Sequence, residues 1–182
     1  LGRKPSVMAA SALAALGRLC AAPDSAPSGR WEADPAALAA GRCSSLLVAS
    51  YESLPTEPPT HELHERLWRL GHRVLVPVLL PDKDLDWREA LAADRYGEPL
   101  GLEAVAAADA VVVPALRIDR AGRRLGQGGG SYDRALARVG TGVPIIAVVD
   151  DDGLVDAVPH EGHDAPVHAV VRPSFGWQEL TG

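Results

Sequence analysis

The residues with the most chemistry to offer lie between Arg123 and Arg134. The run Arg124-Leu125-Gly126-Gln127-Gly128-Gly129-Gly130-Ser131-Tyr132-Asp133-Arg134 places four glycines within five consecutive positions and flanks them with guanidinium groups, a phenol and a carboxylate. Glycine permits backbone with positive φ and close approach to a ligand. Leu136 and Val139 continue at helical spacing, so the glycines lead into a helix whose first N–H groups favour an anion. Backbone donors together with Arg123, Arg124 and Arg134 suit a polyphosphate. Asp133 is a carboxylate of the kind that holds Mg2+ beside bound phosphates, and its spacing suits helix capping equally. Glycine content alone fits a flexible surface turn as well as a phosphate cradle.

Other chemistries fit less well. No Gly-Lys-Ser/Thr follows the glycines, so this is not a Walker A loop. Gly126-Gln127-Gly128 opens like a dinucleotide fingerprint, but Ser131 stands where the third glycine belongs. Ser131 also lacks the G-x-S-x-G elbow of a serine nucleophile. His160, His163 and His168 lie near Asp164 with His-x-x-His spacing, yet no further ligand pattern supports a transition metal. A polar loop with one functional acid suits that stretch better. Glu57 is either a holder of a polar ligand group or an exposed loop carboxylate. Cys20 and Cys43 form no CxxC pair; they are buried thiols or a single bridge, and the reduced, structural state is preferred.

The elements that must position these groups follow from apolar patterning. Strands are expected at 45–51, 73–80, 109–118, 143–149 and 167–171. Helices are expected at 5–22, briefly after Asp34, at 61–70 with Thr60 as N-cap, and from about Gly130 to Val139. Pro77 hints at an end or bulge in its strand rather than a central ladder. Residues 81–101 form an irregular excursion or hairpin anchored by Trp87, Leu91 and Tyr96, and 174–182 a tail. Continuously apolar strands separated by helices imply a parallel sheet covered on both faces. Ligands of such sheets sit at the carboxyl ends of the strands. Segments 51–60, 119–133 and 150–164 converge there.

The chain has 182 residues, 47% of them apolar and 23% charged, with a net charge of −6. That length suits one domain: a helical N-terminal part over 1–43, a core over 44–172 and a tail over 173–182. The charge argues against nucleic acid or an anionic membrane as partner. No apolar run approaches the roughly 20 residues of a membrane span. No cleavable signal is recognisable, and a cytoplasmic monomer is expected.

These residues together resemble the 5-formyltetrahydrofolate cyclo-ligase (5,10-methenyltetrahydrofolate synthetase) family. The resemblance is carried by Val113-Pro114, Asp119, Gly122 and the run from Arg124 to Arg134, set against V-P-G-x-x-F-D-x-x-G-x-R-L-G-x-G-x-G-Y-Y-D-R. Glu57-Pro58-Pro59-Thr60 is similar to the family's E-x-x-T, and the stretch from His163 to Val170 to its H/N-D-x-x-x-D-x-V. Ser131 replaces the first tyrosine of Y-Y-D, and the N-terminal K-x-x-x-R is matched only by Lys4. The resemblance covers about residues 44–172. It implies a three-layer α/β/α sandwich with a mostly parallel central sheet, Rossmann-like. It implies MgATP-dependent conversion of 5-formyltetrahydrofolate into 5,10-methenyltetrahydrofolate, releasing ADP and phosphate. In that reaction the formyl oxygen attacks the γ-phosphate, and folate N10 then closes the ring. It places ATP on Lys4, Arg124, Leu125, Gly126, Gln127, Gly128, Gly129, Gly130, Ser131 and Tyr132. It places folate on Glu52, Glu57 and residues 127–131, magnesium on Asp133 and Asp164, and catalysis on Arg124 and Tyr132. The alternatives are a diverged nucleotide- or folate-binding relative with weak or no ligase activity, and an unrelated phosphate-binding α/β enzyme such as a sugar-phosphate isomerase.

Overall fold

The structure is a computed structural model that describes residues 9–12, 45–159 and 165–180. After helical residues 9–12 the order is β1 (Leu47–Ala49), α1 (His61–Arg69), β2 (Arg73–Leu79), β3 (Leu85–Ala92), β4 (Arg95–Pro99), a 3-10 turn (Leu102–Ala107), β5 (Ala110–Pro114), β6 (Arg117–Asp119), β7 (Arg124–Leu125), α2 (Ser131–Leu136), β8 (Ile145–Val148), β9 (Leu154–Val155), β10 (Ala169–Arg172) and β11 (Gly176–Glu179).

An eight-stranded sheet runs β11-β10-β8-β5-β1-β2-β3-β4, and a three-stranded sheet runs β7-β6-β9. Strands β10, β8, β5, β1 and β2 pair in parallel, while β3, β4 and β11 add antiparallel edges. Period-two alternation sorts the strand residues into two cores. Val48, Val74, Val76, Val112, Ile146 and Val148 face one side. Ala49, Leu75, Val111, Val113, Ile145 and Ala147 face the other. Leu63 and Leu67 of α1, with Ala9 and Ala12, cover the first face. Val105 of the 3-10 turn, with Ala135 and Leu136 of α2, covers the second. This is the expected three-layer arrangement. Both faces being covered explains why β5 and β8 are apolar throughout.

Helix α1 follows its sequence signals. Glu62 lies in its first turn and Arg66 and Arg69 in its last, and Gly71 follows at φ 82°. Pairs Glu62–Arg66 at 3.7 Å and Glu65–Arg69 at 3.0 Å brace its exposed side. Thr60 is the N-cap residue as expected, and its carbonyl accepts from His64 N at 3.0 Å. Its hydroxyl donates to the Tyr51 carbonyl at 2.6 Å and makes no side-chain cap bond.

Three expectations change. The strand over 109–118 is two strands, because the chain leaves the main sheet after Pro114 and Arg117–Asp119 joins the small sheet. The helix after the glycines ends at Leu136. The expected tail contains β11, whose ladder with β10 covers that strand's edge. The hairpin offered for 81–101 is present as β3–β4 and widens the sheet. Pro77 sits where β2 has lost β1, whose pairing stops at Leu75, so only β3 pairs beside it. The rest of helix 5–22, the helix after Asp34, Lys4, both cysteines, His160, His163 and Asp164 lie outside the described residues. Among those described, no helix is long and apolar enough to cross a membrane.

The strand order sets the place for a ligand. From β1 the chain moves out to β2 on one side, and β5 and β8 continue on the other. The β1–β5 boundary is therefore a topological switch point, where a crevice opens at the carboxyl ends of the strands. The loop 50–60 leaves from one side of it, and the chain leading into the glycine loop from the other.

Candidate active site

The loop after β1 is pinned from within. Ser50 shares a 2.8 Å hydrogen bond with Nε2 of buried His64. Tyr51 is buried, and its hydroxyl donates to the Pro58 carbonyl at 2.8 Å. Leu54 and Glu57 close a tight turn in both directions: Glu57 N donates to Leu54 O at 2.9 Å, and Leu54 N donates to Glu57 Oε2 at 2.9 Å. The second oxygen, Oε1, accepts from Gln127 Nε2 at 3.2 Å. That bond joins residues 70 positions apart and folds the glycine loop over the switch point. Glu52 turns towards the β3–β4 hairpin, where it meets the Tyr96 hydroxyl and, at 3.5 Å, Arg88. The Arg88 guanidinium lies 3.5 Å from the Tyr96 ring centroid.

The glycine loop is shaped by Asp119 and by its own arginine. Asp119 is buried and accepts from Ala121 N at 3.0 Å, Arg123 N at 3.1 Å, Val158 N at 3.3 Å and Arg123 Nε at 2.6 Å. Burial pushes its pKa up, but these donors outweigh it and hold the carboxyl below its ordinary value. Gly122 has φ 78°, and a Cβ there would lie 2.2 Å from the Val167 carbonyl oxygen. The Arg124 side chain is 6% exposed and salt-bridged to Asp133, with its guanidinium 5.8 Å from the Tyr132 ring centroid. Its buried Nε has no hydrogen-bond partner among the described residues. A Cβ at Gly126 would meet Arg124 Nη1 at 2.7 Å, so the loop lies against the guanidinium. Gly128, at φ 81°, has no neighbour within 4 Å of a Cβ among the described residues.

Electrostatics draw the two loops into one site. Burial first, and then the Glu57 carboxylate, push the phenols of Tyr51 and Tyr132 far above their ordinary range, while Arg124 pulls Tyr132 the other way. Tyr132 therefore stays protonated at neutral pH and can donate a hydrogen bond. The arrangement offers a buried guanidinium, a protonated phenol, a carboxylate and open glycine backbone around one crevice. That set suits an anionic group on the glycine side and a hydrogen-bond-donating ring edge at Glu57.

A family model for the 5-formyltetrahydrofolate cyclo-ligase family matches residues 39–173. The chain belongs to this family. A 5-formyltetrahydrofolate cyclo-ligase of Mycolicibacterium smegmatis is 37% identical over 169 residues, covering 85% of this chain and 87% of the relative. One of Escherichia coli is 31% identical over 157 residues, covering 72% and 80%. Among solved structures, the 5,10-methenyltetrahydrofolate synthetase of Aquifex aeolicus shares the fold with TM-score 0.59 at 22% identity, covering 76% of this chain and 73% of that one. That of Mycoplasma pneumoniae shares it with TM-score 0.56 at 19% identity, covering 69% and 72%.

The cyclo-ligase match takes in both loops of the site. The structure brings together Glu57, Arg124, Gln127, Tyr132 and Asp133, and sets Glu52 against the hairpin. Lys4 and Asp164 lie outside the described residues. Arg123 and Arg134 are engaged by protein groups: Arg123 is paired with Asp119, and Arg134, whose Nη1 lies beneath Gly130, donates through Nη2 to the Lys83 carbonyl at 2.6 Å. Helix α2 has six residues and follows Gly130 in the left-handed region at φ 66°, so loop backbone replaces the expected helix start as the donor array. Among the described residues no cluster of three His, Cys, Asp or Glu side chains could hold a metal. Asp133 spends Oδ1 on Arg124 and keeps Oδ2 without a hydrogen bond among the described residues, at 37% side-chain exposure. One such oxygen fits the small protein share that Mg2+ takes beside phosphate. His168, expected among the cluster near Asp164, accepts from Ile145 N at 3.0 Å through Nδ1 and has a structural role. Sequence reasoning missed Tyr51, Ser50 and His64 as supports of the Glu57 loop. An aromatic residue closing an apolar strand was the available signal for Tyr51.

Proposed function

We propose that this chain is a 5-formyltetrahydrofolate cyclo-ligase that forms 5,10-methenyltetrahydrofolate with consumption of ATP. The observation that carries the reading is the Gln127–Glu57 bond at 3.2 Å, which closes the glycine loop over the carboxylate loop at the switch point. In this reading the nucleotide phosphates lie along Gly126, Gly128 and Gly129, held by backbone donors. Arg124, already buried beside the loop, offsets charge that develops during phosphoryl transfer, a reaction that depends mainly on positioning and charge neutralisation. Glu57 accepts hydrogen bonds from the N–H edge of the folate ring. Tyr132, protonated and touching both cores, fixes the loop between the two ligands. Magnesium supplies further charge neutralisation at the phosphates; Asp133 is its candidate carboxylate among the described residues and Asp164 a second. We take the working unit to be a single-domain cytoplasmic monomer, since one chain supplies both loops.

The test is direct. Purified protein with 5-formyltetrahydrofolate and MgATP should develop the near-UV absorbance of the methenyl product, and only when ATP is present. Nucleotide binding without product at high enzyme concentration sinks the ligase reading in favour of a binding protein. The substitution Glu57→Gln removes a charged acceptor worth about 1.5–3 kcal/mol. It should raise KM for the folate about tenfold or more and leave KM for ATP unchanged. Equal effects on both constants would take Glu57 off the folate side.

A further inference from the structure

Helix α2 has six residues, too few to hold a helix in water by itself. Its orientation must come from tertiary contacts, and two of them converge on the turn between β2 and β3. Arg138, just beyond α2, places Nη1 on Asp84 Oδ1 at 2.9 Å and Nη2 on Asp84 Oδ2 at 2.7 Å, across 54 residues of chain. Its Nε also lies 3.3 Å from Glu103 at the surface. Arg134, within α2, donates to the carbonyls of Lys83 at 2.6 Å and Asp82 at 3.4 Å, with its Nε 3.9 Å from Asp84 Oδ2.

The turn is a firm anchor. Leu80 N donates to Asp84 O and Lys83 N to Leu80 O, both at 2.9 Å. Asp84 N donates to Asp82 Oδ1 at 2.9 Å, and Leu85 N to Asp84 Oδ1 at 2.8 Å. Lys83 adopts φ 66°, uncommon for a residue with a side chain. The same Arg134 guanidinium runs under the glycine loop, where a Cβ at Gly130 would lie 3.2 Å from Nη1. One arginine therefore touches the turn and the loop together, while the other locks the far end of α2 to the same carboxylate.

We propose that Asp84 is a positioning residue for the glycine loop: through Arg138 and Arg134 it sets the orientation of α2, from which Tyr132 and Asp133 face the site. Asp84 touches no reacting group. Only the kinetic arm of its test rests on the cyclo-ligase reading.

The test compares Asp84→Asn and Arg138→Lys with Glu89→Gln. Glu89 forms a similarly bidentate pair with Arg73, at 3.0 and 2.7 Å, towards the other end of the β2–β3 ladder and away from α2. It therefore controls for lost stability. In the ligand-free protein, backbone amides of 126–136 should exchange about tenfold faster in the first two variants, with sheet amides unchanged and the control like wild type. In steady state, KM for ATP should rise about tenfold while kcat at saturating ATP falls less than about threefold, because bound nucleotide restores the loop. Unchanged exchange over 126–136, equally faster exchange across the sheet, or the same response in the control overturns the proposal. An inactive wild type would count against the ligase reading alone, and the exchange measurement would still decide the role of Asp84.

Discussion

His64 shows how burial sets the chemistry of a single side chain. It is 5% exposed, and burial, with a smaller contribution from His61, lowers its pKa to about 4. The unfolded chain takes up a proton near the ordinary value of 6.5, well before the folded protein does. Stability is therefore undiminished above pH 6.5 and falls as pH drops from there towards 4, by up to roughly 3 kcal/mol from this residue. His72 is shifted the same way by its burial and adds to the slope. Asp84, whose carboxyl Arg138 holds below its ordinary range, loses its contribution only at lower pH, below about 4. Urea denaturation between pH 7 and 5 should show the loss, and His64→Gln should flatten it. An unchanged slope in that variant would clear His64 as its origin. None of this is visible in the sequence, where His64 is one more polar residue beside an apolar helical stripe.

At the scale of elements, the glycine loop separates two uses of one residue type. Gly122 and Gly128 both have positive φ, 78° and 81°. A Cβ at Gly122 runs into the Val167 carbonyl oxygen, whose residue also donates its N–H to Gly122 O at 2.8 Å. A Cβ at Gly128 meets nothing within 4 Å among the described residues. Gly122→Ala should therefore cost more than about 3 kcal/mol, because neither backbone can yield without breaking their bond. Gly128→Ala should cost only the left-handed strain of roughly 1–2 kcal/mol and act mainly on KM for ATP. Thermal unfolding with parallel kinetics checks both, and comparable losses of stability would undo the distinction. The sequence marks these positions as glycine and cannot say which is an anchor and which an opening. That depends on β10 and its approach, residues 167–172, which begin 45 positions beyond Gly122 and 39 beyond Gly128.

At the scale of the whole molecule, β11 finishes the sheet that carries the site. Truncation after Pro173 would remove the ladder Ala169–Glu179 to Arg172–Gly176 and Trp177, which packs against the first core. It would also bare β10 as an unpaired edge, an aggregation hazard. The truncated chain should melt at least about 5 °C lower or precipitate, as read by thermal unfolding and light scattering. A wild-type melting curve would show that β11 adds little to the sheet.

Local pattern was enough to reveal the α/β class, helix α1, the buried strands and the glycine motif with its flanking Arg124, Tyr132 and Asp133. Apolar periodicity and turn chemistry are properties of neighbouring residues, so they are written in neighbouring residues. The division of 109–118 between two sheets, the pairing of β11 and the engagements of Arg123 and Arg134 were decided only in the folded chain. Two depend on partners far off in sequence, β9 for Ile118 and the 82–84 turn for Arg134; β11 and Arg123 meet near neighbours, β10 and Asp119, in pairings that no apolar periodicity marks. The site itself divides the same way. Its residue types stand in two short motifs, while their meeting through Glu57 and Gln127 is a consequence of strand order at the β1–β5 boundary.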